Sequence, residues 1–322
     1  MSEIKPTVGL IGAGITGSAL AIQLSREGYK IVSVNSRTLD SSRRLAGKIP
    51  GCLICNTAQQ VADSAKAVFL TVPDDKIAEI TANITWHSDQ IVIHCSGVHS
   101  TDILQSARRY GASVCCMHPL QTFASIDEAV NNIRGSTFTL EGDDKALAVI
   151  VDMATALKGN IIKLKPSDKV LYHAAAVILS NYLITLMKMA TDLWQHFGIS
   201  QDDAVKYLLP LLKGTLNNIE KAGIPYCLTG PIARGDIGTV QKHLTALKNE
   251  HPEILDVYRI LGLQTIDIAL AKGRISIEIA DNLRAALEGR TDTDLSIYSE
   301  FYKLFMFDYP EELSANMDKV KI

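Results

Sequence analysis

The sequence predicts an α/β chain, a doubly wound and mostly parallel sheet over residues 1–165 followed by an all-α domain over residues 166–322. Three observations predict it. A glycine-rich turn, Gly12-x-Gly14-x-x-Gly17, joins an apolar run at Thr7–Ile11 to an amphipathic stretch ending near Glu27. Near-continuous apolar runs then alternate with helical patterns as far as residue 164, the pattern left by parallel strands covered on both faces. After residue 165 strand signals vanish and long stretches of helical periodicity take over.

The first unit opens with a strand at Thr7–Ile11, a helix closed by Gly28, and a second strand at Ile31–Val34. In that strand–turn–helix–strand setting the glycines acquire a meaning they lack alone. They permit a tight turn and a close backbone approach, so that the helix N-terminus holds a pyrophosphate. The turn is therefore of the Rossmann type, and Gly12, Ala13, Gly14, Ile15, Thr16 and Gly17 are its predicted cofactor-binding residues. At the end of the second strand stands Asn35-Ser36-Arg37-Thr38, where an NAD site usually carries a carboxylate for the ribose 2′-hydroxyl. A carboxylate would repel a 2′-phosphate, whereas Arg37 attracts it and Ser36 and Thr38 can donate to it. NADP is the expected cofactor.

Strands follow at 51–55, 67–72, 91–95, 113–117 and 161–164, with helices from Asp74 and over 100–109 and 143–157. Ligands of such sheets sit beyond the carboxyl ends of the strands. Val72-Pro73 should border the adenosine side there, and Cys95-Ser96-Gly97 the nicotinamide ribose. His118, in His118-Pro119-Leu120-Gln121-Thr122, points to the same crevice as a substrate-binding group.

Composition narrows the function. With 322 residues, 47% hydrophobic and 21% charged, and a net charge of −3, the chain has no electrostatic case for nucleic acid or an anionic membrane. Small neutral or anionic ligands remain. No apolar run is expected to reach the roughly 18 residues that span a bilayer, and MSEIKP leads straight into a strand pattern, so the expectation is a cytoplasmic protein. Cysteines at 52, 55, 95, 115, 116 and 227 form no disulfide framework. Cys52-x-x-Cys55 lacks a second pair or a nearby His for zinc and reads as an apolar strand with two buried thiols.

In the second unit, Lys165-Pro166 is the expected hinge, and Ser167 or Asp168 the cap of a helix running to about His196, where Gly198 stops it. Such a helix is roughly 45 Å long. It is apolar except for Lys169, His173, Ser180 and Asn181. At about 100° per residue the first three share an arc of roughly 40°, with Asn181 further round. A face turned only toward core would not carry them, so something polar lies opposite. Further helices are expected at 202–222, 238–249, 252–271, 275–288 and 294–306. The C-terminal helices should pair with a second copy in a homodimer, and the tail from Thr291, with Phe301, Phe305 and Phe307, could wrap a neighbour.

The blocks "GLIGAGITGSALA", "VFLTVPDDKI", "HCSGVHSTDIL", "HPLQTF", "DKVLYHAAAVILSNYL" and "LTGPIARGDIGTVQKHL" together resemble the two-domain NADP oxidoreductases that join a Rossmann-like domain to a formerly uncharacterised helical C-terminal domain. The resemblance covers about residues 5–290. This family lies among the 6-phosphogluconate dehydrogenase-like enzymes, beside β-hydroxyacid dehydrogenases, pyrroline-carboxylate reductases, prephenate dehydrogenases and ketopantoate reductases. Some members are described as an alternative type of ketopantoate reductase. In hydroxyacid and ketopantoate relatives a Lys opens the first long C-terminal helix and an Asn follows one turn later, both facing the nicotinamide. Lys169 falls on that Lys; His173 stands where the Asn would be, with Asn181 two turns beyond.

The resemblance and the residues together imply an NADPH-dependent reductase of a small 2-oxo acid, ketopantoate being the best single substrate. Hydride reaching a carbonyl carbon leaves an oxygen that needs a proton. Lys169 can stabilise that charge and donate, His173 is the competing acid, and Asn181 and Ser96 can hold the carboxylate or carbonyl. Ser180 shares the face and Arg234 is a candidate anchor for an acid, because a guanidinium grips a carboxylate with two parallel bonds. Asp236 reads as the N-cap of the next helix or a catalytic group, and an ion pair with it is the structural alternative for Arg234. His94, His99 and His118 come from separate elements, and no metal site is expected. Other β-hydroxyacid or imino-acid reductions, hydride exchange with a deazaflavin, and an NADP-binding sensor without chemistry are the alternatives; the polar helix face argues against the last.

Overall fold

The computed structural model describes residues 5–289. In chain order its elements are β1 (Val8–Ile11), α1 (Ile15–Arg26), β2 (Ile31–Asn35), α2 (Leu39–Ala46), β3 (Leu53–Ile54), α3 (Ala58–Ser64), β4 (Ala67–Leu70), α4 (Asp74–Ala82), β5 (Ile91–His94), α5 (Gln105–Arg109), β6 (Ser113–Leu120), α6 (Ile126–Asn132), β7 (Thr137–Gly142), α7 (Asp144–Ala156) and β8 (Asn160–Lys163), then α8 (Lys169–Gln195), α9 (Gln201–Ala222), α10 (Ile237–Glu250), α11 (Pro252–Ala271) and α12 (Ile277–Glu288). The chain divides into two compact units, residues 1–184 and 185–322. The division falls inside α8 and not at residue 165. The reason lies in the first turns of that helix, which carry Lys169 and its neighbours onto the sheet of the first unit.

The sheet has the order β3-β2-β1-β4-β5-β6-β7-β8. Strands β3 through β6 pair in parallel; β6 and β7 are antiparallel, and β7 and β8 parallel. Every residue of the central strands β1, β4 and β5 is buried, as expected where helices cover both faces. Alternate residues feed two cores. Ile91, Ile93, Cys115 and Met117 join Leu20, Leu24 and Phe138 on one face, while Val92 and Val114 join Val61, Ile77 and Leu104 on the other. Strand order reverses between β1 and β4, which opens a crevice at their carboxyl ends.

In the second unit α10, α11 and α12 enclose Val240, Ile266, Ala269, Leu283 and Leu287. Gly262 admits this packing, since a Cβ there would lie 2.8 Å from Leu287 Cδ2.

Several expectations need correction. Helices α2, α3 and α6 were not anticipated, and the stretch 100–109 is a 3₁₀ turn at Thr101–Leu104 followed by α5. Strand β6 runs on to Leu120 and so includes His118 and Pro119. The last β5 residue, His94, pairs with Cys116, so β6 has a free edge on that side by Pro119, where proline is tolerated. Neither Ser167 nor Asp168 caps α8. Pro166 opens a 3₁₀ turn that contains both, and Ser167 donates to Asp168 instead. Residues 170–187 form an uncharged run, and the helix at Pro166–Gln195 is, among the described residues, one long and apolar enough to cross a membrane; the expectation that no such run exists is wrong. The stretch 294–306 and the tail lie outside the described residues.

Candidate active site

The glycine turn is built by contact with Thr71. Gly12 has φ 104°, and a Cβ there would lie 2.4 Å from the Thr71 carbonyl oxygen; only glycine meets both demands. A Cβ on Gly17 would lie 2.2 Å from Thr71 Oγ1, the hydroxyl that donates to the Gly12 carbonyl at 2.7 Å. By contrast, nothing stands within 4 Å of a Cβ on Gly14. Gly14 heads α1 without a side-chain cap, so the N–H groups of the turn Ile15–Thr16–Gly17 are donors without helical partners, which suits a pyrophosphate. Ala13 N–H donates to Ser36 Oγ at 3.3 Å, tying this turn to the end of β2.

At that end Arg37 is exposed and has no ion pair among the described residues. Asn35 spends its amide on the Cys55 carbonyl, 2.8 Å away. Thr38, expected as a phosphate donor, instead caps α2, accepting from Ser41 N–H and donating to Ser41 Oγ. Val72 packs beside Gly12, and Pro73 stands immediately before α4. The residues present fit a dinucleotide with a 2′-phosphate: an uncapped helix start, an open mouth at Gly14, and Ser36 with Arg37 at the ribose end. Cys52 and Cys55 pack in different cores on opposite faces of the sheet, and both are half-buried. They cannot form a working pair.

A polar cluster occupies the place where parallel pairing gives way to antiparallel. Register sets His94 beside Cys116, Cys116 beside Glu141, and His118 beside Thr139; strand alternation puts all five on one sheet face. Helix α8 begins over them with Lys169, Tyr172 and His173 at i, i+3 and i+4, which share a face. Lys169 is 2% exposed. Its Nζ lies 2.9 Å from Cys116 Sγ, 3.2 Å from the Ser96 carbonyl oxygen and 3.6 Å from Glu141 Oε2. Glu141 is itself fixed by Thr101, whose N–H and hydroxyl both donate to Oε1 at 2.9 Å.

The histidines answer to this charge and to burial. Burial, with Lys169 nearby, holds His94 at about 3; Ser96 N–H donates to its Nδ1. Burial, then Lys169 and then His173, lowers His118 to about 4. Burial raises the Cys116 thiol to about 11 against the pull of Lys169. His118 Nδ1 and Tyr172 Oη are 2.8 Å apart. The His118 and His173 rings stand 6.3 Å apart, edge to face, and both touch Gly97. A Cβ at residue 97 would lie 2.5 Å from His173 Cδ2 and 2.9 Å from His118 Nε2, so glycine is what lets two imidazoles close on this loop.

The predicted residues sort accordingly. Lys169, His173, His118, Ser96, Cys95 and Gly97 come together in the first unit. Lys169, however, is enclosed behind the loop instead of facing an open crevice, because Glu141 supplies a buried counter-charge. The Ser96 hydroxyl is also taken: it donates to Asp74 at 2.8 Å and accepts from Val98 and His99 N–H groups. It builds the loop and leaves no hydrogen for a substrate. Ser180 is half-buried and Asn181 exposed. Arg234 belongs to the second unit, exposed at the end of the 3₁₀ turn Ile232–Arg234, and Asp236 caps α10 through Thr239. Glu141, Cys116 and Tyr172 were missed. A carboxylate in the otherwise uncharged run of β7, and a tyrosine three residues after Lys169, were the available signals.

Residues 1–119 match the Rossmann-like domain and residues 136–265 the domain of unknown function DUF2520. In this chain the first of these precedes the second. No curated protein matches it. Among solved structures, a candidate NADP oxidoreductase of Bacteroides fragilis is 23% identical, with 82% of this chain and 98% of that one covered and a TM-score of 0.66. A Thermotoga maritima protein is 24% identical, covering 83% and 100%, at 0.68. A reductive aminase of Aspergillus terreus, in complex with NADPH and ethyl-5-oxohexanoate, is 17% identical, covering 93% and 100%, at 0.56. At these identities the likeness is one of fold.

Proposed function

We propose that the chain is an NADP-dependent reductase acting on a small 2-oxo acid, with ketopantoate as its substrate. The observation that carries this reading is the pair His118 and His173 closed on Gly97 at the carboxyl ends of β5 and β6, in the same sheet whose β1 end bears the open glycine turn. The similar folds of an NADP oxidoreductase candidate and of a reductive aminase in complex with NADPH support the cofactor. Bound along this edge, reduced NADP supplies a hydride to a carbonyl carbon. The chain's own residues do the rest. Gly97 allows close approach, the imidazole edges of His118 and His173 bound the pocket, and the buried Lys169 pins the Ser96 carbonyl and so the loop. Ser180 on the same helix face is proposed to meet the carboxylate, and Arg234 is proposed as an acid-binding cation of the second unit.

The protein is further proposed to act as a homodimer in the cytoplasm. Within one chain only Lys169 and Thr191 of α8 are buried, while Leu171, Leu179 and Ile184 are at least 70% exposed. In α9 only Ala204 is buried. A helix apolar on most sides is covered by something, and a second copy offers the same apolar helices in return. The anchoring of its first residue to Glu141 favours this over a membrane.

Loss of NADPH absorbance with ketopantoate, a panel of other 2-oxo acids and cyclic imines tests the function. Turnover with a 2-oxo acid is the expected result. Tight NADPH binding with no turnover on any of them would leave a nucleotide-binding sensor.

A further inference from the structure

We propose that the Tyr172 hydroxyl is the proton donor to the reduced carbonyl, held in place by His118; this rests on the reductase reading. Most polar groups of the cluster are already engaged. Lys169 is enclosed by Glu141, Cys116 and the Ser96 carbonyl. The Ser96 hydroxyl is committed to Asp74, and His94 and Cys116 are fully buried. His173 turns Cδ2 toward the Gly97 loop, and no described hydrogen bond holds its ring nitrogens in place, so it is the competing donor that the His173→Asn variant tests. Tyr172 is half-buried, and its oxygen is fixed 2.8 Å from His118 Nδ1.

His118 is suited to position and not to donate. The groups facing it are Lys169, His173, Asp74 and Tyr172, and burial with the first two keeps the ring neutral above about pH 4. A neutral imidazole carries one proton. With that proton on Nδ1, it donates to the phenol oxygen, so the phenol hydrogen is not spent on His118 and can pass to a carbonyl oxygen. As hydride joins the carbonyl carbon, the carbonyl π-bond electrons move to oxygen. That oxygen takes the phenol hydrogen, the Tyr172 O–H bond breaks, and the phenolate is steadied by the Nδ1–H until solvent returns a proton. Burial raises the phenol, with Thr139 pulling the other way and Cys116 adding to the rise, so Tyr172 stays protonated through the working range.

The test compares wild type, Tyr172→Phe, His118→Asn and His173→Asn, with kcat, NADPH Kd and a pH profile for each. Tyr172→Phe should lower kcat by about 100-fold, within the range general acids supply, with NADPH Kd unchanged. His118→Asn should lower kcat by roughly 10-fold and leave a basic limb that Tyr172→Phe lacks. A fluorinated tyrosine at 172 should move that limb to lower pH in step with its more acidic phenol, a shift that a merely structural residue would not produce. If wild type turns over and Tyr172→Phe matches it, or the limb ignores fluorination, Tyr172 is not the donor while the reductase reading stands. Absence of turnover by wild type overturns both.

Discussion

At the scale of single residues, the site depends on what is missing as much as on what is present. Gly97→Ala would set a methyl 2.5 Å from His173 Cδ2 and 2.9 Å from His118 Nε2. Overpacking of this kind typically costs about 1–3 kcal/mol, and thermal melting should show it alongside a turnover loss of at least roughly tenfold. Arg37→Glu should weaken NADPH binding by roughly 10–100-fold, as expected for loss of a charge-assisted bond, and leave NADH nearly unaffected; nucleotide fluorescence titration measures both. Acidification acts on His94 and His118, neutral in the fold until about pH 3 and about pH 4. The unfolded chain binds those protons near pH 6.5, so stability present above 6.5 falls as pH drops toward 4, by a few kcal/mol. Urea melts between pH 7 and 4.5 check it, and a flat profile would contradict burial of the two rings. The positions of the glycine turn, Arg37, His118 and His173 were legible in the sequence because they are set locally: a turn spacing, a strand end, a helix face. Lys169 was found for its type but misread in role. Its enclosure depends on Glu141, brought opposite only by strand register.

At the scale of elements, the N-terminus of α8 is fastened to β7 through the Lys169–Glu141 ion pair and to β6 through hydrogen bonds to Cys116 and His118. Lys169→Met strands Glu141 in the interior, and removing one partner of a buried pair costs about 3–5 kcal/mol. The double variant Lys169→Met with Glu141→Gln should recover a large part of that loss. Equal destabilisation of single and double variants in denaturant melts would mean that the pair contributes nothing. Element legibility followed length and periodicity. Helix α11 lies where its pattern put it, Pro252–Ala271, since twenty residues average out local noise. Helix α3 went unread although Thr57 and Gln60 form a capping box, because seven residues bury only Val61 and Ala62 and show no period. The antiparallel turn of β7 was invisible too: strand direction is a property of pairing, and His118 looked like a loop residue for the same reason.

At the scale of the whole molecule, the proposed homodimer is what would cover the apolar surface of α8 and α9. The protein should elute and scatter light at twice the chain's mass, and Leu171→Glu with Leu179→Glu should halve it while leaving the far-ultraviolet spectrum largely intact. Sequence patterning showed that α8 is apolar but not what covers it, since helix periodicity cannot distinguish a core, a partner and a bilayer. The fold class, and the nucleotide turn that heads it, came through because they are written in contiguous residues; the polar cluster did not, because it is assembled across the sheet. The most direct test is therefore a crystal structure with NADP bound. The account predicts the pyrophosphate on the Gly12–Gly17 turn and the nicotinamide against Gly97, with its reactive face toward His118, Tyr172 and His173. A nicotinamide lying away from Gly97, with those three side chains out of reach of any atom bound to its C4, would contradict it.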